Sequence, residues 1–542
     1  MGVSKTPRMA TDSLGKIIVH GATPTVETKE PPAIRLYSYQ EPHVRRMCQM
    51  LLNNVAILDY STTGQGKTFT SSAVASLFRM PIIVVAPPTV LNVWKSMPQQ
   101  GVVIQDMISY EMLRGRCTSG CNNPYLNRKG SQFTATSYLR QVIDQGVLFV
   151  FDEMSALKNE GTGRLQSAKT IVRELARHPT QSRAILVSAL PTCKDKQIYS
   201  VLQMLGIVLS DKMYSYNQVR QEYQPHGWQE LLDWCMARDL ETTHKILENT
   251  KRVTKHNIDN LSIKLYEQVV SSQISSCMTK ERSHVDIRNL YVHIPEEDMD
   301  TMRQGQRYLS NSTRYFGDSA SVKKGKDNWR DFTYGLQLMG TAKLRAICRI
   351  AYLKLSENLD SKGIICCWYK DQIKWLTTMF SGYGALSLYG DTKNRDKVIK
   401  IFQAPDNRCR MLIINPTVGG IGINLDDRYG DRPRWMILVP DYRMMELVQC
   451  TGRIDRESTK SKDQTWIRFV YASQFTGESK ILTNLLIKSS SARAVISTDS
   501  GIILPDNYKE EAEVGRPEMP FKLPNPPIPK RPILSIANES RL

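Results

Sequence analysis

The feature that most constrains the fold is a pattern of short apolar runs that alternate with amphipathic stretches in two separate regions of the chain. Such runs, rich in β-branched residues and bounded by turn residues, are typical of buried strands. They are VAILDY (55–60), MPIIVVAP (80–87), VLFVFDE (147–153) and RAILVSA (183–189), then KGIICCWY (362–369), ALSLYG (385–390), RMLIINP (410–416), RWMILVP (434–440) and IRFVYA (467–472). Strands that alternate with helices form a parallel sheet with helices on both faces. The fold class predicted is therefore α/β, with two parallel-sheet domains in tandem.

The rest of the chain divides by composition. At 542 residues it is too long for one core. Stretches such as WQELLDWCMARDL show helical spacing and few strand signals, whereas EMPFKLPNPPIPKRP is Pro-rich and predicts an extended, disordered tail. The predicted organisation is a flexible arm (1–32), the first α/β domain (33–205), a helical insertion and linker (206–338), the second α/β domain (339–485) and a C-terminal extension with a Pro-rich tail (486–542).

The charge balance indicates a polyanionic partner. The chain carries 72 Lys and Arg against 53 Asp and Glu, a formal net charge of +19. A surplus of this size favours nucleic acid or a membrane surface, although it also fits a basic surface that only aids solubility. No apolar run approaches the ~20 residues needed to span a bilayer, and no signal-peptide pattern is present. Eleven cysteines without framework spacing indicate a reducing compartment, the cytoplasm or nucleus.

One segment of the predicted linker region mixes basic and aromatic residues. The segment is YLSNSTRYFGDSASVKKGKDNWRDFTYG (308–335). Such a composition can hold a nucleic acid backbone and stack on bases. The interpretation that we favour is a solvated loop between helices.

The stretch LDYSTTGQGKTFT (58–70) has the ending of a phosphate-binding loop but carries Ser61 where the pattern G-x-x-x-x-G-K-[ST] has glycine. An ordinary turn before a helix is the alternative. The order of strand, tight turn and helix favours the phosphate loop, because the N-terminus of the helix points its free N–H groups at a phosphate. The predicted contacts to nucleotide are Thr63, Gly64, Gln65, Gly66, Lys67 and Thr68, with Lys67 on the β- and γ-phosphates and the Thr68 hydroxyl on magnesium.

The strand-like run VLFVFDE ends in two carboxylates, Asp152 and Glu153. Open α/β sheets place ligands at the carboxyl ends of their strands. Asp152 is predicted to hold magnesium, and Glu153 to orient and deprotonate the attacking water. A surface acidic pair at a strand end is the alternative, and the neighbouring phosphate loop argues against it.

The segment QCTGRIDR (449–456) places two arginines, Arg453 and Arg456, three residues apart, which predicts that they share one helix face. Guanidinium groups aimed at a γ-phosphate stabilise the transition state of phosphoryl transfer. Two solvated arginines are the alternative. Their place in a second α/β domain that otherwise adds nothing to the phosphate site favours a site completed when two domains close.

These motifs, in this order, resemble the two-domain, RecA-like translocases and helicases of superfamily 2, most closely the Swi/Snf-type branch, over about residues 34–475. The further stretches that carry the resemblance are LYSYQ (36–40), IIVVAPPTVLNVW (82–94), DEMSALKN (152–159), LVSALPTCKD (186–195), LYGDTKNRDKVIKIFQ (388–403) and VGGIGINLD (418–426). The resemblance implies that Gln40 reads adenine, that Gly422 and Gln449 contact the nucleotide, and that a missing first glycine at Ser61 is ordinary. Met154, Ser155 and Leu190 depart from the family pattern, at positions that couple hydrolysis to movement.

The resemblance implies an ATP-dependent nucleic-acid translocase or helicase that hydrolyses ATP with Mg²⁺ at the cleft between two RecA-like domains. DNA is expected as the partner in preference to RNA, with no membrane and with a transcription or replication complex as the setting. The alternatives are an RNA helicase, or an NTPase subunit of a viral transcription complex with little unwinding activity, in which case the virion is also a location. The second-domain arginines argue against an ordinary kinase or nucleotidase.

Overall fold

The protein is described from a computed structural model. The structure describes residues 8–11, 17–20, 34–115, 123–178, 180–192, 194–217, 222–248, 253–254, 257–278, 285–311, 326–419, 423–456, 458–473, 475–496, 509–511 and 523–529. These residues fall into two compact units. The first lies within Met1–Glu281 and Ser491–Gly501, and the second within Arg282–Ser490 and Ile502–Leu542.

The strands of the first unit build one large parallel sheet and three small antiparallel pairs. They are β1 (Arg8–Thr11), β2 (Ile17–His20), β3 (Ala56–Asp59), β4 (Ile82–Ala86), β5 (Ile104–Ser109), β6 (Leu126–Lys129), β7 (Gln132–Ala135), β8 (Leu148–Asp152), β9 (Arg183–Val187), β10 (Ser215–Asn217), β11 (Glu222–Gln224) and β12 (Ser275–Ser276). The large sheet has the order β12-β3-β9-β8-β4-β5, and all its pairings are parallel.

Helices connect these strands. They are α1 (Gln40–Asn53), α2 (Lys67–Phe78), α3 (Pro88–Trp94), α4 (Tyr110–Leu113), α5 (Ser137–Gln145), α6 (Gly163–Arg177), α7 (Ile198–Met204), α8 (Gly227–Met236), α9 (Leu240–Glu248), α10 (Ile258–Leu265) and α11 (Ser271–Ile274). The strands β3, β4 and β8 are buried along their whole length. This explains their continuous apolar sequences, since a central parallel strand is covered on both faces.

Four predicted strands of the first region are confirmed as β3, β4, β8 and β9. Their order in the sheet positions the candidate site. The phosphate-loop strand β3 and the Asp-Glu strand β8 both flank β9. Because parallel strands all end at one edge of the sheet, the loop after β3 and the carboxylates after β8 lie at the same edge.

The region predicted to be helical contains α8 to α11, as expected, but it also contributes strands. β12 pairs in parallel with β3, with Ser275 opposite Leu58 and Ser276 opposite Asp59. A two-residue polar strand has no hydrophobic period that a sequence pattern could reveal. The segment therefore completes the edge of the first sheet instead of standing apart from it.

The second unit contains a larger parallel sheet. Its strands are β13 (Asp286–Val292), β14 (Lys362–Cys366), β15 (Leu386–Leu388), β16 (Met411–Ile414), β17 (Arg434–Leu438), β18 (Trp466–Ala472) and β19 (Lys509–Glu511), in the order β15-β16-β14-β17-β18-β13-β19. Its helices are α12 (Glu296–Asn311), α13 (Lys326–Ala342), α14 (Leu344–Glu357), α15 (Lys370–Met379), α16 (Arg395–Gln403), α17 (Pro416–Gly419), α18 (Met444–Thr451) and α19 (Thr476–Ile496). All the pairings in this sheet are parallel.

The five strands predicted for the second region are confirmed as β14 to β18, while β13 and β19 come from segments where no strand was predicted. Two parallel α/β sheets in tandem confirm the predicted fold class of RecA-like domains. Within the basic, aromatic segment 308–335, residues 308–311 end α12 and 326–335 begin α13. Residues 312–325 lie outside the described part of the chain.

The disorder expected of the Pro-rich tail is not found at residues 523–529, the part of that tail which the structure describes. Arg345 Nη2 donates to Asn525 Oδ1 at 2.7 Å, and Trp375 Nε1 donates to the carbonyl of Asn525 at 3.2 Å. The Tyr334 hydroxyl donates to the carbonyl of Pro529 at 3.1 Å. A Pro-rich segment leaves its carbonyls free to accept such bonds. Residues 523–529 are held by side chains of α13, α14 and α15.

Within the described ranges, no helix is both long and apolar enough to traverse a bilayer.

Candidate nucleotide site

The phosphate loop joins β3 to α2, and two glycines set its path. Gly64 and Gly66 have φ of 86° and 88°, in the left-handed region that favours glycine. Gly66 is the N-cap of α2, and a Cβ placed on it would lie 2.4 Å from Nε2 of Gln40. Glycine is therefore required here by both conformation and space. Helix α2 then begins at Lys67, and Thr68 lies in its first turn.

The Lys67 ammonium is held over the loop by two backbone carbonyls of the loop. Nζ donates to the carbonyl of Ser61 at 2.7 Å and to that of Thr62 at 2.9 Å. The Thr62 N–H in turn donates to Oε1 of Gln65 at 3.1 Å. These bonds close the turn 61–66, which contains Thr63, and present a cation beside the N-terminus of α2. Such a concave arrangement suits a phosphate.

A buried polar group supports the loop from below. Asp59, the last residue of β3, accepts the Ser61 N–H at 2.9 Å and lies 3.2 Å from Nε2 of His43. His43 Nδ1 lies 3.0 Å from the Ser276 hydroxyl. Burial raises the pKa of the Asp59 carboxyl, but His43 and then Lys67 bring it below its ordinary value. The carboxylate is therefore kept charged beneath the loop.

Gln40 binds the loop from the side. Its Nε2 donates to the carbonyl of Gln65 at 2.7 Å, and its Oε1 accepts the N–H of Tyr37 at 2.9 Å. The Tyr39 hydroxyl also donates to the Gln65 carbonyl, at 3.3 Å. Tyr37 is 57% exposed and stacks on Tyr39 with ring centroids 5.7 Å apart. Gln40 thus fixes the loop directly, and its predicted contact with adenine stays a prediction.

Asp152 ends β8, and each of its carboxylate oxygens accepts a hydrogen bond. Trp94 Nε1 donates to Oδ2 at 2.9 Å, and the Glu153 N–H donates to Oδ1 at 2.8 Å. The Tyr110 hydroxyl donates to the Asp152 carbonyl at 2.9 Å. Burial raises the pKa of Asp152 to about 6; the Trp94 indole and the charge of Lys67 oppose this rise, and the charge of Glu153 adds to it. Asp152 and Lys67 are therefore electrostatically coupled.

Glu153 adopts an unusual backbone. Its φ of 55° and ψ of 54° lie in the left-handed region, which non-glycine residues seldom occupy and which clusters at functional sites. The Ser155 hydroxyl donates to Glu153 Oε1 at 2.5 Å. Met154 is fully buried. Met154, one departure from the family pattern, thus packs in the core. Ser155, a second departure, orients the carboxylate of Glu153.

The donor set fits a magnesium ion that is shared with a phosphate. Magnesium in nucleotide sites is bound by one or two carboxylates together with substrate phosphates and water, and a dedicated protein cage is not needed. Across the described residues, no group of three or more His, Cys, Asp or Glu side chains gathers as such a cage. Asp152, whose buried carboxylate would gain from a nearby cation, and the Thr68 hydroxyl are the residues that would hold the ion.

In the second unit, Arg453 and Arg456 converge on one backbone carbonyl. Arg453 Nη1 and Arg456 Nη2 donate to the carbonyl of Ile423 at 3.4 Å and 3.1 Å. The prediction that both lie on one helix face is wrong, because α18 ends at Thr451 and Gly452 follows it as the C-cap. The turn after the helix brings them together instead. Burial, then the charge of Arg453, lowers the pKa of Arg456 to about 9.

Two further residues were predicted to contact the nucleotide, Gln449 and Gly422. Gln449 is a buried residue of α18. Gly422 lies outside the described residues. The structure thus brings Gln40, the phosphate loop, Asp152 and Glu153 together in the first unit, and Arg453 and Arg456 together in the second.

The sequence reasoning missed four residues that support the first-unit site: His43, Asp59, Trp94 and Ser155. Trp94 lies in one of the stretches that carry the family resemblance, and its side chain is fully buried against Asp152. Asp59 carried a usable signal, a carboxylate at the end of an apolar strand just before the loop. Ser155 was noted only as a departure from the family pattern, and His43 and Trp94 carried no signal for this role.

Comparisons with known proteins give matches to helicases. Residues 342–458 match the family described as "Helicase conserved C-terminal domain". A relative from Acanthamoeba polyphaga mimivirus, named "Putative ATP-dependent RNA helicase", is 24% identical over 517 residues, or 89% of this chain and 86% of the relative. The family match and this relative confirm the resemblance to superfamily-2 helicases.

Two solved structures are also similar over most of the chain. The SWI2/SNF2 ATPase core of Sulfolobus solfataricus in complex with dsDNA is 15% identical, covers 88% of this chain and 96% of its own, and has a TM-score of 0.30. The Hef helicase domain of Pyrococcus furiosus is 12% identical, covers 82% of this chain and 97% of its own, and has a TM-score of 0.42.

Proposed function

We propose that this chain is an ATP- and magnesium-dependent motor that translocates on or unwinds nucleic acid, with DNA as its substrate. The observation that carries the proposal is the edge of the first sheet. There Lys67 and the Asp152–Glu153 pair follow two strands that flank β9, in a chain whose residues 342–458 match a helicase family. A phosphate loop beside an acidic pair is the arrangement that nucleotide hydrolysis requires.

Each residue has a role in this proposal. The N–H groups of α2 and the Lys67 ammonium bind the β- and γ-phosphates. Thr68 and Asp152 hold magnesium, which when bound neutralises charge on the phosphate oxygens. Glu153, held by Ser155, accepts a proton from the attacking water. Gln40 and Gln65 fix the loop on the side that would face the nucleotide base.

Arg453 and Arg456 are proposed to stabilise the charge that develops on the γ-phosphate. Their shared position on the Ile423 carbonyl presents two guanidinium groups from one turn. A guanidinium supplied at this step raises the rate of phosphoryl transfer by about 10³- to 10⁵-fold in related reactions. Closure of the two units around ATP would then link hydrolysis to movement along the strand.

The test is the rate of ATP hydrolysis without nucleic acid and with single-stranded DNA, duplex DNA or RNA, in parallel with Glu153→Gln. We expect stimulation by DNA and a loss of activity in the variant of at least about 10²-fold. The exposed Asp144→Asn variant, on α5 of the same unit, is the control and should retain activity. Equal rates of ATP hydrolysis under all four conditions would reject the motor.

An RNA helicase is the second candidate, because the viral relative carries that name. Stimulation by RNA and not by matched DNA in the same assay would select it. An NTPase subunit of a viral transcription complex is the third candidate. Hydrolysis without detectable unwinding, together with dependence of a reconstituted complex on Lys67, would support that role.

A further inference from the structure

Residues 523–529 of the Pro-rich tail lie against three helices of the second unit. Their sequence is LPNPPIP, so four of the seven residues are proline. The helices contribute one hydrogen-bond donor each, and we call these three side chains the tail site: Tyr334 on α13, Arg345 on α14 and Trp375 on α15. One short segment of the chain thus contacts three helices that follow one another in sequence.

The two buried prolines of the segment are three residues apart. Pro526 and Pro529 are buried, whereas Ile528 between them is 69% exposed. Proline fixes its own φ near −65° and disfavours the α region at the residue before it, so this sequence favours the polyproline II conformation. That helix has three residues per turn, and residues one turn apart share a face at a distance of about 9 Å. The segment is therefore suited to present both prolines to one surface.

Three hydrogen bonds join the tail site to the segment, and the tail site donates in each of them. The Tyr334 hydroxyl donates to the carbonyl of Pro529 at 3.1 Å. Asn525 accepts the other two, from Trp375 Nε1 to its carbonyl at 3.2 Å and from Arg345 Nη2 to its Oδ1 at 2.7 Å. A proline has no N–H, so a Pro-rich segment offers mainly acceptors. A row of donors is the complement that such a segment requires.

The donors are held in place by other residues of the second unit. Tyr334 is 7% exposed, and its ring meets that of Tyr308 edge-on with centroids 5.0 Å apart. Arg345 is 3% exposed; its Nη1 donates to Asp298 at 2.6 Å, and its Nε lies 3.3 Å from the Glu297 carboxylate. These contacts involve only α12, α13 and α14 and include no residue of the tail. A site whose side chains are already fixed binds at a lower entropic cost.

We propose that the tail site recognises Pro-x-x-Pro segments and that residues 526–529 occupy it in cis. Aromatic side chains that take up prolines one turn apart are a recurring mode of peptide recognition. The kind of partner that fits is a Pro-rich segment with an asparagine before its first buried proline. Because the chain's own tail fills the site, such a segment of another protein binds there only by displacing the tail. None of these residues belongs to the proposed nucleotide site.

The test is whether the segment binds as a separate peptide once the tail is released. The tail variant, Pro526→Glu with Pro529→Glu, places carboxylates at two buried positions and should release the tail, because burying an unpaired charge is costly. Binding of a fluorescent peptide of residues 521–531 to the full chain is measured by anisotropy. We expect the peptide to bind the tail variant roughly 10- to 100-fold more tightly than the wild type, where the tethered segment competes at an effective concentration on the order of 1 mM.

Changes in the peptide test the pattern that is recognised. A peptide with Pro526→Ala and Pro529→Ala should bind the tail variant at least about 10-fold more weakly, because both buried rings are lost. The peptide with Ile528→Ala is the control. It should bind within about 2-fold of the native peptide, since the Ile528 side chain is exposed. Equal binding of all three peptides would show that the site does not recognise Pro-x-x-Pro, and the proposal would be wrong.

Changes in the tail site test where the peptide binds. In the tail variant, Tyr334→Phe and Trp375→Phe each remove one donor and keep a ring. Each should weaken binding of the peptide by about 2- to 13-fold, the effect of one neutral hydrogen bond. Tyr429→Phe is the matched control, because it makes the same change at a tyrosine of the same unit that is 53% exposed. Unchanged affinity in both site variants would place the peptide elsewhere and overturn the proposal.

A melting curve establishes that the tail variant is folded. If it is not, Asn525→Ala serves as a milder release, because it removes only the acceptor of the Arg345 bond. The peptide should then bind about 5- to 30-fold more tightly than it binds the wild type. A folded variant that binds the peptide no better than the wild type would show that the segment packs only as part of its own chain, which contradicts a recognition site.

Discussion

The Ser61 hydroxyl accepts a hydrogen bond from the backbone N–H of Met278 over 2.9 Å. Ser61 is fully buried and stands where the phosphate-loop pattern has glycine. Met278 follows β12, the strand that returns to the edge of the first sheet beside β3. The serine therefore makes a contact that glycine cannot make, and it ties the start of the loop to the end of the helical region.

Replacing Ser61 with glycine is expected to lower the stability of the first unit by about 1–3 kcal/mol. The variant leaves the Met278 N–H without this acceptor and adds backbone freedom to the unfolded chain. Thermal unfolding, followed by fluorescence, measures the loss. Ser61→Ala removes the hydroxyl alone, so it should show most of the effect. Wild-type melting in both variants would mean that the contact is not stabilising.

The strands that build both sheets could be predicted because each is a buried apolar run between turn residues, and such a run has few other structures available to it. The turn at 61–66 could be predicted for a related reason. Gly64 and Gly66 both adopt the left-handed backbone region that favours glycine, and that requirement arises within the turn itself. Interactions within one turn or one strand join residues that are close in sequence, so a local sequence pattern can predict them.

The parts that escaped prediction depend on distant contacts. Trp94 meets Asp152 across 58 positions in the chain, and no local pattern records that pair. The strand β12 is two serines long and is defined only by its partner β3. The prediction for the arginines after α18 failed for a local reason. Gly452 ends the helix, so a spacing of three residues did not place Arg453 and Arg456 on one helix face. A glycine after the last periodic residue is a stop signal.

The His43–Asp59 pair predicts a pH dependence of stability. The folded-state pKa of Asp59 lies below its ordinary value of about 3.9, so the charged carboxylate stabilises the fold. That stabilisation is present above about pH 4 and is lost as the pH falls through the lower, folded-state pKa. Asp59→Asn should therefore melt at a lower temperature than the wild type at pH 5.

The margin should shrink only below about pH 4, where the wild-type carboxylate begins to take up its proton. Melting temperatures from pH 7 to pH 3 check this, with the exposed Asp144→Asn as the control that stays with the wild type throughout. A margin that already disappears between pH 7 and pH 5 would mean that the pKa of Asp59 is raised in the fold, contrary to this account.

Ser155 is expected to act through Glu153. Its hydroxyl is the donor that fixes the carboxylate at 2.5 Å, on a residue whose backbone is already in the left-handed region. Ser155→Ala should lower kcat for ATP hydrolysis by about 10- to 150-fold, the effect of one lost hydrogen bond to a charged group, and leave KM for ATP nearly unchanged. Ser155→Thr keeps the hydroxyl and should retain more activity. A rise in KM without a fall in kcat would place Ser155 in ATP binding instead.

Docking of the tail on the second unit should be measurable through Asn525. Asn525→Ala removes the acceptor of the Arg345 bond while leaving the backbone carbonyl that Trp375 uses. The expected loss is about 1–2 kcal/mol, or a melting temperature lower by a few degrees. Pro524→Ala, at an exposed neighbouring position, is the control. Identical melting of the Asn525 variant and the wild type would show that the segment adds no stability there.

The role proposed for Arg456 predicts that its loss affects the hydrolysis of ATP more than the binding of ATP. The guanidinium is buried beside Arg453, and burial and that like charge lower its pKa to about 9, which is a cost that a phosphate partner would offset. Arg456→Ala should therefore lower kcat by about 10²- to 10⁴-fold while the affinity for a fluorescent ATP analogue changes less than about 5-fold.

Arg456→Lys should not restore the rate, because an ammonium cannot reproduce the planar fork of donors that suits a phosphate. Arg408→Ala is the matched control: Arg408 is an exposed arginine of the same unit, paired with Asp406, and its loss should leave kcat within about 2-fold of the wild type. Stopped-flow binding and steady-state hydrolysis with saturating DNA supply the two measurements. If Arg456→Ala hydrolyses ATP at the wild-type rate, the second unit does not supply the guanidinium, and the proposed division of the site between phosphate loop and arginines is wrong.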